Sequence, residues 1–158
     1  MTKNLAVNRT MLVVSLMLVV AVASLGSIHG TGDWYRALVK PAWNPPGWVF
    51  GPVWSALYLA MAVSAWLIWI RRDISPVGLP LGLYAGQLAL NAAWTAIFFG
   101  AHRMGWAFAE IALLEALIIG CIVTFWPVSR TASLMMVPYA AWVSFAAVLN
   151  FTLWRLNA

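Results

Sequence analysis

The chain has 158 residues, 64% of them hydrophobic and 8% charged, with a formal net charge of +5. A mean hydropathy of +0.88 argues against a soluble globular domain and against a disordered chain, because these proportions prefer lipid to water. The nine basic residues are scattered rather than clustered, so a pI near 10.0 does not indicate nucleic-acid binding.

An all-α integral membrane protein is predicted, since a hydrocarbon core about 30 Å thick is crossed by roughly 20 apolar helical residues. Five windows qualify, at about 10–28, 51–70, 79–100, 106–126 and 132–154, within a single transmembrane domain spanning 1–158. The first window follows Lys3 and Arg9 and holds the small-residue run Ala21-Val22-Ala23, which also fits a secretory signal. Its apolar run exceeds a typical signal core, which favours a retained first helix.

Between the first two windows lies an aromatic, proline-rich stretch over about 30–50, containing Trp34, Tyr35, Pro41, Trp43, Pro45, Pro46 and Trp48. A loop of that composition beside a bilayer reads as a lid over an intramembrane pocket. Asp33 is expected to cap a short helix within it. The later links are short, at 71–80, 101–105 and 127–131, so successive helices are antiparallel neighbours in a compact bundle. Placing the N-terminus inside puts Lys3, Arg9, Arg71, Arg72 and Arg130 inside, and Arg36, Lys40, Arg103 and Arg155 outside. That slight excess has the expected sense.

Eleven tryptophans exceed what interfacial belts need. Trp48, Trp66, Trp69, Trp106, Trp126 and Trp154 fall near predicted helix ends and suit a belt, whereas Trp54, Trp94 and Trp142 lie deeper. On the third helix Gln87, Asn91, Trp94 and Phe98 share an arc of about 60°. Amides in hydrocarbon are costly when unpaired, so this face points into the bundle. Comparable stripes run through Trp54, Tyr58, Met61 and Ala65 on the second helix, and through Pro138, Trp142, Ala146, Leu149 and Asn150 on the fifth. The amides serve either as interhelical glue, at about 0.6 to 2 kcal/mol per bond, or as polar edges of a pocket for a flat apolar ligand.

Glu110 and Glu115 lie in the fourth helix, where a carboxylate at bilayer depth is a functional candidate. They are about 140° apart on a straight helix, so they do not act on one partner. Glu115 is open to three roles: a protonated group bonded to a neighbouring helix, a dimer-interface group, or a cation ligand. The last role would make the chain a small cation/proton antiporter. His29 and His102 lack a second ligand at metal spacing, and Cys121 is the single cysteine, so no metal site and no disulfide framework are expected.

The run Trp34-Tyr35, Leu38, Lys40-Pro41, Trp43, Pro45-Pro46, Val49-Phe50, then Val53-Trp54, Leu57-Tyr58, Gln87, Leu90-Asn91, Trp94, Phe98-Phe99-Gly100, Val137-Pro138-Tyr139, Trp142, Leu149-Asn150 and Trp154-Arg155 closely resembles the tryptophan-rich sensory protein and translocator protein family, also called peripheral-type benzodiazepine receptors. The resemblance spans about 10–156. It implies a five-helix bundle, commonly a homodimer, with a pocket beneath the first loop that takes porphyrins such as protoporphyrin IX and haem, and in some members sterols and isoquinoline-type drugs. The ligand-facing positions it implies are Tyr35, Pro45, Trp54, Asn91, Trp94, Trp142, Ala146 and Leu149. No obligatory cofactor is implied, the porphyrin or haem being ligand.

By the same resemblance Trp54 and Trp142 match indoles implicated in light-dependent porphyrin breakdown, so an enzymatic alternative stands beside a receptor or carrier of tetrapyrroles. The sequence holds no nucleophile–base pair, metal set or nucleotide loop, which favours the receptor. The family's sterol-recognition pattern is incomplete, since Leu149 and Arg155 are present but Phe151 stands where a tyrosine is required. A bacterial cell membrane is the expected location.

Overall fold

The computed structural model describes the backbone of residues 2–28 and 32–158, and side chains over 7–24 and 32–158. Among the described residues it contains six α-helices and no strand: α1 Thr2–Ile28, α2 Asp33–Ala37, α3 Gly47–Trp69, α4 Gly78–Thr95, α5 Met104–Phe125 and α6 Arg130–Asn157. Four of these, α1 over Val7–Ser24 and the whole of α3, α5 and α6, are long and apolar enough to cross a membrane. The sequence predicts five. The difference is α4, 18 residues long, in which Gln87, Asn91, three glycines and Pro80 dilute the apolar content.

The five long helices form a ring in which α1 packs on α3, α3 on α6, α6 on α5, α5 on α4 and α4 on α1. The core lies inside it, with Met61, Ala62, Ile68, Ile118, Cys121, Phe125, Met136 and Tyr139 fully buried. Small residues let backbones approach, as is usual where lipid offers no hydrophobic drive between helices. Ser64 Oγ donates to the Ala132 carbonyl at 2.7 Å, and Ser133 Oγ donates to the Ile122 carbonyl at 2.6 Å. Both hydroxyls are thereby paired where no water would reach them. α6 is preceded by Ser129, whose Oγ accepts from the Ala132 amide at 3.3 Å and so caps the helix.

Helix ends overrun the hydropathy windows for physical reasons. α1 begins at Thr2 rather than near 10, because Asn8 is held within it: its carbonyl accepts from Trp66 Nε1 at 2.8 Å and its Oδ1 from Arg72 at 3.3 Å. α3 begins at Gly47 and runs through Pro52, which lies past the first turn and so costs the helix one bond, to the carbonyl of Trp48. Beyond Thr95, α4 continues as a π turn, Ala96–Gly100, closed by the Ala101 amide on the Ala96 carbonyl at 2.8 Å. Nothing in its apolar composition separates that widened turn from ordinary helix.

The α4–α5 seam is interlocked by glycine. A Cβ on Gly86 would stand 3.2 Å from Leu117 Cδ1, and one on Gly120 3.3 Å from Leu83 Cδ1. Gly86→Leu would overpack this seam by about 1–3 kcal/mol, against roughly 0.8–1 kcal/mol regained in helix propensity. A net loss of thermal stability in detergent is the expected result; an unchanged melting midpoint would mean that the two helices are not tightly apposed.

Asn8, Trp66 and Arg72 meet at one end, while the loop, His102 and the end of α6 meet at the other. Trp48 and Trp106 are the most exposed indoles, at 76% and 71%, consistent with belt positions.

Candidate functional site

Three helices meet at a polar relay. Tyr58 of α3 donates its hydroxyl hydrogen to Asn91 Oδ1 at 2.8 Å, and Asn91 Nδ2 of α4 donates to the Tyr139 hydroxyl of α6 at 3.0 Å. Asn91 uses both ends of its amide and each phenol is satisfied by it, so the group is both buried and paired. Trp54, one turn before Tyr58 on α3, lies 5.3 Å from that ring and edge-on to Tyr139 at 6.2 Å. The inward amides differ in use. Gln87 Nε2 reaches only Met61 Sδ at 3.9 Å, whereas Asn150 Nδ2 donates to the Met104 carbonyl at 2.9 Å and ties α6 to the start of α5.

Towards the loop the relay gives way to aromatic rings. Trp94 stacks on Phe98 at 4.9 Å with an 18° interplanar angle. The π turn then places Phe99 edge-on to both, at 5.8 and 4.8 Å. On α6, Trp142 meets Phe50 at 5.8 Å and Phe145 at 5.4 Å, and Phe145 meets Trp43 of the loop at 5.9 Å. The Trp94 indole Nε1 is buried and has no hydrogen-bond partner. A buried donor left unpaired in this way costs about 1–3 kcal/mol.

The loop is tied down at several points. Trp34 of α2 stacks on His102 at 4.1 Å and 13° and stands edge-on to Phe98 at 5.7 Å. His102 has a φ of 55°, a conformation uncommon outside glycine, although histidine adopts it more often than most residues, as asparagine and aspartate do. Tyr35 lies edge-on to Phe99 at 5.4 Å, with Lys40 Nζ 4.8 Å from its centroid. Burial pushes the Tyr35 phenol above its ordinary value, and an interaction with the Asn44 side chain pulls it part of the way back.

Lys40 Nζ also donates to the Arg36 and Leu38 carbonyls at 3.1 and 2.9 Å. At the far side Asn157 forms a two-way strap, its Oδ1 accepting from the Val39 amide and its Nδ2 donating to the Val39 carbonyl, both at 2.9 Å. Asn157→Ala is expected to release this segment, read as faster hydrogen exchange at the Val39 amide with little change in melting. Unchanged exchange would mean that the loop is held by its rings alone.

Of the predicted ligand-facing positions, Tyr35, Trp94 and Leu149 share one apolar cluster beneath the loop with Phe98 and Phe145, while Trp54, Trp142 and Ala146 border the main core next to it. Asn91 holds the relay between these groups, and Pro45 lies half-buried in the loop before α3. The stripe predicted on α6 divides: Pro138 is exposed and Asn150 is turned to Met104. A cavity of about 590 Å³ opens along His102, Arg103, Trp106, Ala109 and Trp154. A second, of about 350 Å³, lies on the Val13, Met17 and Val20 face of α1. Neither is beneath the loop, where rings pack on rings.

Asp33 begins α2 rather than capping it, Gly32 holding the cap position, and it pairs with Arg36 at 3.3 Å in full exposure. Glu115 Oε1 accepts from Ser144 Oγ of α6 at 3.0 Å, on the outer edge of the α5–α6 contact where Ser144 is exposed. Both oxygens of Glu110 are without a hydrogen-bond partner. No cluster of three or more histidine, cysteine or acidic side chains suited to a metal occurs among the described residues. His29 lies outside the described residues. The relay, the strap and the His102 stack are legible only from structure, since each depends on which of several polar residues meet across helices.

Comparison with known proteins bears on this site. The profile of the TspO/MBR family matches residues 11–155. Human translocator protein is 45% identical over 133 residues, covering 82% of this chain and 79% of that protein. Protein CrtK of Rhodobacter capsulatus is 41% identical over 135 residues, covering 84% and 83%. Tryptophan-rich protein TspO of Chlorobaculum tepidum is 42% identical over 128 residues, covering 78% and 79%.

Proposed function

Since the chain belongs to the TspO/MBR family and is an integral, multi-pass membrane protein, we propose that it is a membrane receptor or carrier for tetrapyrroles such as protoporphyrin IX and haem, taken up beneath the loop. In this reading α4 with its π turn is the fifth crossing, the protein is a homodimer in a bacterial cell membrane with its N-terminus inside, and porphyrin or haem is ligand rather than cofactor. Other planar hydrophobic molecules are candidate ligands of the same site.

One observation carries the reading. The buried, unpaired Trp94 indole N–H sits in a wall of rings contributed by α3, α4, α6 and the loop. Flat conjugated ligands stack favourably on such rings, and an idle donor among them suits a ligand with a few polar edges. Opening the ring cluster requires the loop to move, and the Val39 strap and the Trp34–His102 stack are the contacts that movement breaks. At roughly 0.3 kcal/mol per non-hydrogen atom, the ceiling for a porphyrin of about forty such atoms lies in the nanomolar range.

Tryptophan-fluorescence titration with protoporphyrin IX in darkness tests this. Saturable quenching is expected for the wild type, weakened in Trp94→Phe, which keeps the ring but removes the donor; quenching that never saturates would sink the reading.

A second reading, light-dependent porphyrin degradation, draws on the contiguity of Trp54, Tyr58 and Tyr139, since indole and phenol rings at that spacing pass electrons without an acid/base pair. It requires absorbing products that form under illumination and disappear in Trp54→Phe and Trp142→Phe. The antiporter reading centred on Glu115 loses support, because that carboxylate bonds Ser144 at the bundle's edge. Glu115→Gln is accordingly expected to leave porphyrin affinity unchanged.

A further inference from the structure

The 590 Å³ groove at the loop end of the bundle is separate from the ring cluster beneath the loop. Its walls are apolar and aromatic: Trp106, 71% exposed, Trp154, and Ala109 between them. One wall is fixed by Gly105, on whose bare backbone the Trp154 ring packs so closely that a Cβ would stand 3.1 Å from it. At the polar end stands Arg103, exposed and forming no ion pair among the described residues. No acidic side chain lines the groove, the carboxylate at its rim being that of the terminal Ala158.

Indoles at a helix end mark the level of lipid headgroups. An unpaired guanidinium at that level matches a phosphate, which it grips through planar paired donors. The charge is therefore at the water side of the groove and the apolar wall runs from it towards the membrane interior, the polarity of a phospholipid standing in its own leaflet.

We infer that this groove is a binding site for a single anionic phospholipid, its headgroup on Arg103 and its acyl chain along Trp106, Ala109 and Trp154. Phe151 and Arg155, the residues of the incomplete sterol pattern, do not line it. Two lining residues, His102 and Asn157, are also those that hold Trp34 and Val39, so a lipid seated here abuts the loop's anchors. The inference stands independently of the porphyrin reading.

Native mass spectrometry of the purified full chain in detergent, titrated with phosphatidylglycerol or phosphatidylcholine, tests it, with helical circular dichroism matched across variants. One retained lipid is expected, with about a fivefold preference for phosphatidylglycerol, the preference that one arginine near an anionic headgroup supplies. Arg103→Gln should remove the preference while leaving some lipid bound. Ala109→Phe, which fills the groove, should reduce retention of both lipids, and Arg71→Gln at the opposite end should change neither. Equal retention of the two lipids, a preference that survives Arg103→Gln, or full retention in Ala109→Phe would each overturn the assignment. Displacement of the lipid by millimolar inorganic phosphate would mark a site for bare anions and overturn it as well.

Discussion

Replacing Asn91 with leucine is expected to lower the stability of the bundle by about 1–3 kcal/mol, the cost of leaving a buried polar partner unsatisfied. Leucine keeps the branching and heavy-atom count of asparagine while replacing its amide with bulkier methyls, so the hydrogen bonds are lost without opening a cavity. Tyr139 is fully buried and Asn91 Nδ2 is the donor to its hydroxyl, so that oxygen has no water to turn to. Tyr58 is only half-buried, and Tyr58→Phe should therefore cost less, nearer the average of about 0.6 kcal/mol found for hydrogen bonds between membrane helices. Thermal unfolding in detergent would rank the two. Porphyrin affinity should fall in Asn91→Leu as well, because Trp54 rests on both phenols that Asn91 positions. Equal and negligible effects on melting would mean that the relay does not hold α3, α4 and α6 together.

Ala146→Leu is expected to weaken protoporphyrin binding by about 5- to 150-fold, the equivalent of the roughly 1–3 kcal/mol that overpacking costs. Ala146 lies on α6 one turn beyond Trp142 and close to Leu149, half-buried against the core. Its methyl leaves room among larger rings, and a leucine there would take the volume a flat ligand needs. The site has an open side, so melting should change less than affinity. Affinity equal to wild type would remove α6 from the binding surface, even if the protein still bound porphyrin elsewhere.

These two residues illustrate how far the sequence can be read. The inward direction of Gln87, Asn91 and Asn150 follows from helical spacing and the cost of unpaired amides, and all three are buried. Their partners do not follow, because sequence fixes a face and not the neighbour across it: Asn91 meets two phenols, Gln87 a thioether and Asn150 a backbone carbonyl. Hydropathy finds where the apolar stretch lies but not where the helix ends, since Asn8 and Pro52 are polar or helix-breaking by type and yet stay helical in their settings.

The loop illustrates a different limit. Its aromatic content points to rings that cover something, and the rings of Trp34, Tyr35 and Trp43 pack on the π turn and on α6. The strap from Asn157 joins residues 118 apart in sequence, which no local pattern encodes. The same holds for the groove at Arg103, assembled from the start of α5 and the end of α6. By contrast, the separation of Glu110 from Glu115 was legible from helix geometry alone, and only Glu115 reaches Ser144 of α6.

The structure of the protein with protoporphyrin IX bound would test the proposal most directly. The tetrapyrrole plane should lie beneath the loop, in contact with Trp54, Trp94 and Trp142, with Ala146 at its edge and a polar atom of the ligand accepting from the Trp94 indole. A porphyrin seated instead in the groove between Trp106 and Trp154, or on the Val13–Val20 face of α1, with the rings beneath the loop still packed on one another, would contradict it.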